Sequence, residues 1–207
     1  MLEAEAKKLL KSSLGFSDID IDKLEKFKTF LLEYNAKYNL ISKSTENTIW
    51  ARHILDSAQL LRYIDTNSKN IMADLGSGAG FPGLVISVFN KNPEFHVKLY
   101  EKSPVKREFL NMLKKELNLK IKVENNVYDE KIDANLIVSR AFKKIDEILK
   151  ISRETNTKPH KIIILKGKNA QVEVNNALKI YPFKNKLVDS ITDEQSKIVL
   201  VDIIKSD

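Results

Sequence analysis

Four of the six glycines in this chain fall in one short stretch, Asp74-Leu-Gly-Ser-Gly-Ala-Gly-Phe-Pro-Gly83. An apolar run, Ile71-Met-Ala, leads into it, and another, Leu84-Val-Ile-Ser-Val-Phe89, leads out. The order strand, glycine loop, helix is where an α/β sheet binds a nucleotide-like ligand, because glycine lets the backbone approach a ligand closely. Gly78-Ala-Gly80-Phe-Pro-Gly83 also spells the dinucleotide pattern G-x-G-x-x-G, and Glu101 follows at the end of the next expected strand, where a carboxylate can bind ribose hydroxyls. Two features favour a different cofactor. Asp74 stands just ahead of the glycines, where a carboxylate would repel a pyrophosphate but suit the ammonium of a methionine moiety. Pro82 removes an N–H donor from the first helical turn, which a pyrophosphate would need. Asp74, Gly76, Gly78, Gly80 and Glu101 together therefore fit S-adenosylmethionine.

Other residues could do chemistry beside that loop. Arg140, one of only five arginines, follows the apolar run Leu136-Ile-Val138, and Lys166 follows Ile162-Ile-Ile-Leu165. Both sit where α/β sheets bind ligands, at the carboxyl ends of strands. His53 and Asp56 lie three apart on an expected helix and so share a face. From the residues alone they read as a pair at a seam, Asp56 orienting His53, and Asn39 reads as a turn residue before Ser42-Lys43-Ser44. Trp50, Phe27 and Phe30 read as core. The chain has no cysteine and three scattered histidines, at 53, 96 and 160, so no metal site is expected.

These residues need elements to position them. Leu24, Phe27, Leu31, Tyr34 and Tyr38 recur at three and four, an amphipathic helix that Ser17 or Asp18 could cap. A second helix is expected over 48–64, with Trp50, Ile54, Leu61 and Ile64 as its core stripe. The polar cluster Asp65 to Asn70 then marks a boundary between a helical extension, 1–66, and a second unit, 67–207. From Ile71 onward strands are expected near 71–75, 95–100, 121–124, 134–138 and 161–165, with helices near 82–90, 104–118, 143–153 and 168–180. Such alternation implies a parallel sheet with crossover helices. Residues 187–191 and 197–204 flank Thr192-Asp-Glu-Gln-Ser as a hairpin. The fold class expected is α/β: a Rossmann-like, mostly parallel sheet ending in an antiparallel hairpin, the methyltransferase variant, with an N-terminal helical extension.

The 207 residues carry a formal net charge of +7. Residues 1–65 are balanced, so the excess lies beyond them, concentrated in 106–122 and 140–168. A basic surface suits an anionic partner such as nucleic acid, although an abundance of Lys, Asn and Ile also fits a biased genome composition. The mixed, charged start Met1-Leu-Glu-Ala-Glu-Ala predicts no signal peptide, and no apolar run is long enough for a bilayer. A cytoplasmic protein without membrane association is expected, acting as a monomer.

The ordered segments Tyr38-Asn-Leu-Ile-Ser42, Arg52-His-Ile-Leu-Asp-Ser57, Asp74 to Gly83, Lys106-Arg-Glu-Phe-Leu110, Ser139-Arg-Ala-Phe142 and Leu165-Lys-Gly167 go further. In order, spacing and length the chain resembles the GidB/RsmG family, bacterial guanine-N7 methyltransferases of 16S ribosomal RNA. The resemblance implies S-adenosylmethionine contacts at Gly76, Phe81, Val127, Tyr128 and Arg140. It implies catalytic roles near the target guanine or the RNA for Asn39, His53, Asp56, Arg140 and Lys166, with the 16S RNA or the small ribosomal subunit as partner. One departure is Asn126, where family members commonly carry a basic residue. Methyl transfer to a small molecule, and a binding module without catalysis, are the alternatives.

Overall fold

A computed structural model describes residues 1–129, 131–156 and 158–204. The alternation after Ile71 builds a seven-stranded sheet from β1 (Asn70–Leu75), β2 (Phe95–Tyr100), β3 (Ile121–Glu124), β4 (Leu136–Arg140), β5 (His160–Lys166), β6 (Lys184–Asp189) and β7 (Lys197–Ile203). Their order is β3-β2-β1-β4-β5-β7-β6. The first five run parallel, and β7 inserts antiparallel to both β5 and β6. The expected closing hairpin is therefore present, starting three residues earlier than the apolar pattern suggested. β1 has β2 on one side and β4 on the other, so the chain leaves the sheet centre in opposite directions. The crevice at that switch point lies between the loops after β1 and β4.

Alternate residues of the central strands serve two cores, which is why these strands are apolar on both faces. Met72, Val138, Ile163 and Ile198 join one cluster with α4 (Gly83–Phe89) and α5 (Pro104–Glu116). Ala73, Ile137, Ile162 and Val199 join the other with α6 (Ile145–Thr155) and α7 (Ala170–Leu178).

The helices before β1 are built into the first cluster. α1 (Glu3–Leu14), which the apolar stripe of its neighbour did not reveal, ends at Gly15. Ser17 then caps α2 (Asp18–Tyr38): its hydroxyl accepts from Asp20 N–H at 3.3 Å, and Asp20 Oδ2 accepts from Ser17 N–H at 3.0 Å. The predicted stripe faces inward at Leu24, Phe27 and Leu31, all fully buried, and runs out to solvent at Tyr38. Phe27 packs its ring 5.1 Å from Phe81 of the glycine loop, and Tyr34 packs 4.9 Å from Phe109 of α5. Trp50 and Phe27 are core as expected, and Phe30 is half-buried against the same cluster.

The single regular helix expected over 48–64 is corrected. A 3-10 segment (Lys43–Thr48) leads into a π-helical segment (Trp50–Leu55), a short turn α3 (Asp56–Ala58) and a second 3-10 segment (Gln59–Tyr63). The Ser57 hydroxyl bonds the His53 carbonyl at 2.6 Å, and Gln59 bonds the Asp56 carbonyl at 3.1 Å, so side chains compete for carbonyls of the winding. Wide π turns are frequent at functional sites, and this one carries Arg52, His53 and, at its end, Asp56.

Phe27 joins α2 to the glycine loop, and its loss leaves a cavity between them. Phe27→Ala should lower unfolding free energy by about 3–5 kcal/mol, read as a lower urea midpoint at unchanged slope.

Candidate active site

The loop after β1 is held by backbone and carboxylate, each doing a separate job. Gly76 N–H and Ser77 N–H both donate to the Tyr100 carbonyl, at 2.9 and 3.0 Å. Gly78 N–H donates to Glu101 Oε2 at 2.9 Å, and Ser103 N–H donates to Glu101 Oε1 at 2.8 Å. Asp74 lies beneath: it is fully buried, and its Oδ2 accepts from Gly83 N–H at 2.9 Å at the start of α4. Gly76 has φ +72° and touches Phe142 so closely that a Cβ would come within 2.2 Å of the ring. Gly83 admits no Cβ either, since one would lie 2.7 Å from Asp74 Oδ2 and 2.4 Å from Leu99.

Above the loop opens a cavity of about 450 Å³, whose walls include Gly76, Gly78, Phe81, Glu101, Val127 and Arg140. Tyr128 stands half-exposed at its edge and Asn126 beside it. The residues present fit S-adenosylmethionine. A Cβ at Gly78 would meet only the Gly76 carbonyl, at 3.9 Å, so the space beside this glycine is open to a ligand. Each Glu101 oxygen accepts one backbone N–H and keeps lone-pair capacity for ribose hydroxyls. Val127, Asn126 and Lys102 offer apolar and hydrogen-bonding groups to a base. Among the sequence candidates, Asp74 and Gly80 do not line this cavity. Asp74 supports the loop from below, and Gly80, at φ +104°, packs against Leu84 and Leu110.

A second cavity, of about 460 Å³, adjoins the first, and Arg140 and Ala141 belong to the walls of both. His53, Asp56, Lys166, Thr192 and Asp193 also line it. Arg140, the last residue of β4, is only 16% exposed at its side chain. Its Nη2 donates to His53 Nδ1 at 2.7 Å, while Nη1 donates to the Arg52 carbonyl at 3.0 Å and approaches Asp56 Oδ2 at 3.4 Å. Phe81 lies under the guanidinium at 4.8 Å and stacks on His53 at 5.0 Å. Burial pulls the Arg140 pKa down, and Asp56 opposes that shift. Burial, then the Arg140 and Arg52 charges, push the His53 pKa down to about 3, so this imidazole is neutral.

The direct pairing of Asp56 with His53 expected from their spacing is corrected: they meet through Arg140. Asp56 Oδ1 is instead held by Gln59 Nε2 at 2.9 Å and by the Thr192 hydroxyl at 2.7 Å. Gln59 reaches on to the hairpin, accepting from Ile191 N–H at 2.9 Å, and Arg52 pairs with Asp193 at 2.6 Å. Lys166 faces the second cavity, but its ammonium bonds Glu173 at 2.7 Å and the Lys143 carbonyl at 2.6 Å. Asn39 is exposed, ends α2 at φ +50° and lines neither cavity; its neighbours Leu40 and Ile41 line the first. No pattern in the sequence singles out Thr45, Gln59, Thr192 or Glu173. Thr192 carried only a turn signal, and nothing in its local pattern points to a partner 136 positions earlier.

Desolvation raises the Asp74 pKa from 3.8 to about 7, against the Gly83 bond that lowers it. A folded pKa above the unfolded one contributes stability present below pH 4 that is lost as pH rises through about 7. Asp74→Asn removes this titration. Relative to wild type, the variant should therefore gain in thermal midpoint between pH 5 and pH 8, as measured by paired calorimetric scans.

Solved structures and sequence relatives match this chain. A crystal structure of a SAM-dependent methyltransferase from Aquifex aeolicus superposes with a TM-score of 0.60 at 13% identity, covering 72% of this chain and 90% of that one. An RNA methyltransferase from Salinibacter ruber, solved with S-adenosyl-L-homocysteine, gives 0.54 at 14% identity over 73% and 92%. At such identities the likeness concerns the fold. Sequence relatives are closer. The ribosomal RNA small subunit methyltransferase G of Pelagibacter ubique is 38% identical over 185 residues, covering 86% of each chain. That of Rickettsia felis is 37% identical, covering 87% of this chain and 92% of its own. The family described as GidB, rRNA small subunit methyltransferase G, matches over residues 20–199. With its glycine-loop cavity and the fold of the S-adenosylmethionine-dependent methyltransferases, this chain belongs to the GidB family.

Proposed function

We propose that this protein transfers the methyl group of S-adenosylmethionine to N7 of a specific guanosine in 16S ribosomal RNA. The observation that carries the reading is Arg140 in the wall shared by two adjoining cavities, one built by the glycine loop and one lined by His53 and Asp56. Family membership supplies the substrate class. Gly76, Gly78, Phe81, Glu101, Val127, Tyr128 and Arg140 line the cofactor side, with Asp74 and Gly80 shaping the loop from behind. The acceptor base takes the second cavity.

S-adenosylmethionine supplies a methyl group already activated by its sulfonium. Guanine N7 offers an in-plane lone pair and no proton, so this chain needs no general base. His53 agrees with that: it is neutral, and both ring nitrogens are engaged. The work left to the protein is to hold N7 in line with the methyl group, in a near-attack pose about 3 Å away. Arg140 keeps donors unspent after its bonds to His53 and Arg52, and these can hold the guanine edge or a phosphate. Transfer of the methyl group would leave the sulfonium a neutral thioether and the purine positive, and Asp56, which lines the second cavity, would offset that charge. Lys166 spends two donors on Glu173 and Lys143, leaving one for the RNA. Asn39 stands outside both cavities, at the start of the segment that walls the cofactor side, and acts through that segment or on the RNA beyond.

The same reading divides the chain into a helical extension, 1–66, which brings His53 and Asp56, and a domain, 67–207, which brings the cofactor loop. It takes the protein to act as a monomer in the cytoplasm, on the RNA or on the small subunit. Among the described residues no helix is long and apolar enough to cross a membrane.

Labelled methyl should pass from S-adenosylmethionine to small-subunit RNA or subunits and map to one N7-methylguanosine. Arg140→Ala should lower that rate by about 100-fold while the protein stays folded. Transfer to small molecules alone, insensitive to salt, would refute the RNA assignment.

A further inference from the structure

The polar contacts around His53 admit only one placement of protons. Thr45, in the 3-10 segment, donates its hydroxyl proton to the Ser42 carbonyl at 2.8 Å. With that proton given to the carbonyl, the hydroxyl accepts toward His53 Nε2, 2.8 Å away. Nε2 must therefore carry the imidazole proton. At the other end the guanidinium of Arg140 can only donate, so Nδ1, at 2.7 Å from Nη2, must be bare. The guanidinium, which cannot accept, sets this tautomer, and the Thr45 oxygen at Nε2 is placed to receive its proton. The chain of bonds runs in a single direction, Arg140 to His53 to Thr45 to the Ser42 carbonyl. A proton added at Nδ1 would point at the guanidinium and break the link to Arg140.

This arrangement spans the parts the reaction needs. Leu40 and Ile41, just before Ser42, wall the cofactor cavity, and Arg140 stands between the two cavities. Thr45 lines neither cavity.

We propose that Thr45 is a positioning residue of the methyl-transfer site: it fixes the Nε2–H tautomer of His53, whose bare Nδ1 is the seat that aims the Arg140 guanidinium. The inference rests on the methyl-transfer reading above. Without the Thr45 hydroxyl, the imidazole can turn over or move its proton to Nδ1, and either change leaves an N–H or a ring carbon facing the donors of Arg140.

The test uses full-length protein and the variants Thr45→Val and Thr45→Ser. Thr45→Val keeps the shape and deletes the hydroxyl, and should lower kcat on small-subunit RNA about tenfold with KM for S-adenosylmethionine within about twofold. Thr45→Ser restores the acceptor and should recover most of kcat. Nitrogen-15 spectra of histidine-labelled protein, with only three histidines to assign, should show wild-type His53 neutral with its proton on Nε2, and Thr45→Val should show a mixed or reversed tautomer. Wild-type His53 protonated on Nδ1, or cationic at pH 7, would overturn the proposal. So would a Thr45→Val enzyme with wild-type kcat, or a Thr45→Ser enzyme as impaired as Thr45→Val. If wild-type protein methylates no RNA, the function reading fails instead, and the spectra still decide the tautomer.

Discussion

A guanidinium held at the end of a buried strand governs the arrangement of this molecule. Removing such a charge from water is costly unless its donors are satisfied, and β4 itself offers Arg140 nothing to bond. The partners come from elsewhere in the chain: the Arg52 carbonyl, His53 Nδ1 and Asp56 from the irregular helical segment, and the Phe81 ring from the glycine loop. The segment before the sheet therefore lines the second cavity and completes the coordination of a sheet residue. The π winding over Trp50–Leu55 fits this role, because it places a carbonyl, a ring nitrogen and a carboxylate around one side chain.

Charge is handled differently on the two sides of that arginine. On the glycine-loop side, carboxylates hold backbone. Glu101 takes two N–H groups and Asp74 takes one, so the glycine loop is shaped by acceptors beneath and beside it. On the other side, side chains hold side chains. Asp56 is fixed by Gln59 and Thr192, Lys166 by Glu173, and Arg52 by Asp193. The glycine-loop cavity is shaped by backbone geometry, which glycine spacing can encode. The second cavity depends on polar contacts that cross between elements, and the β6–β7 turn supplies several of them. The hairpin thus has a second use besides closing the sheet.

Much of this is legible in the sequence, for reasons that differ by residue. The strands were readable because a parallel sheet buries both faces, and continuous runs such as Ile162-Ile-Ile-Leu165 have few other uses. The α2 stripe was readable because its period is that of a regular helix. Over 48–64 the apolar spacing is compatible with one such helix, so the sequence pattern does not reveal the irregular winding. The departure comes from hydroxyl and amide side chains bonding nearby carbonyls, which periodicity does not register. Asn39 illustrates a limit of another kind: its left-handed backbone at the end of α2 matches the turn reading, while its proposed role came only from likeness to a family.

The sequence by itself determined the sheet, the glycine loop with its cofactor class, and the strand-end positions of Arg140 and Lys166. Each of these follows from local spacing and from rules about where strands deliver their last residues. Only the tertiary structure decided that His53 and Asp56 meet through Arg140 and not each other, that the Thr45 hydroxyl lies 2.8 Å from His53 Nε2, and that Thr192 reaches Asp56 across 136 positions. The physical reason is the range of the forces involved. Backbone propensity and apolar periodicity act over neighbouring residues, whereas a hydrogen bond fixes two groups to within a few tenths of an ångström wherever the chain has brought them together.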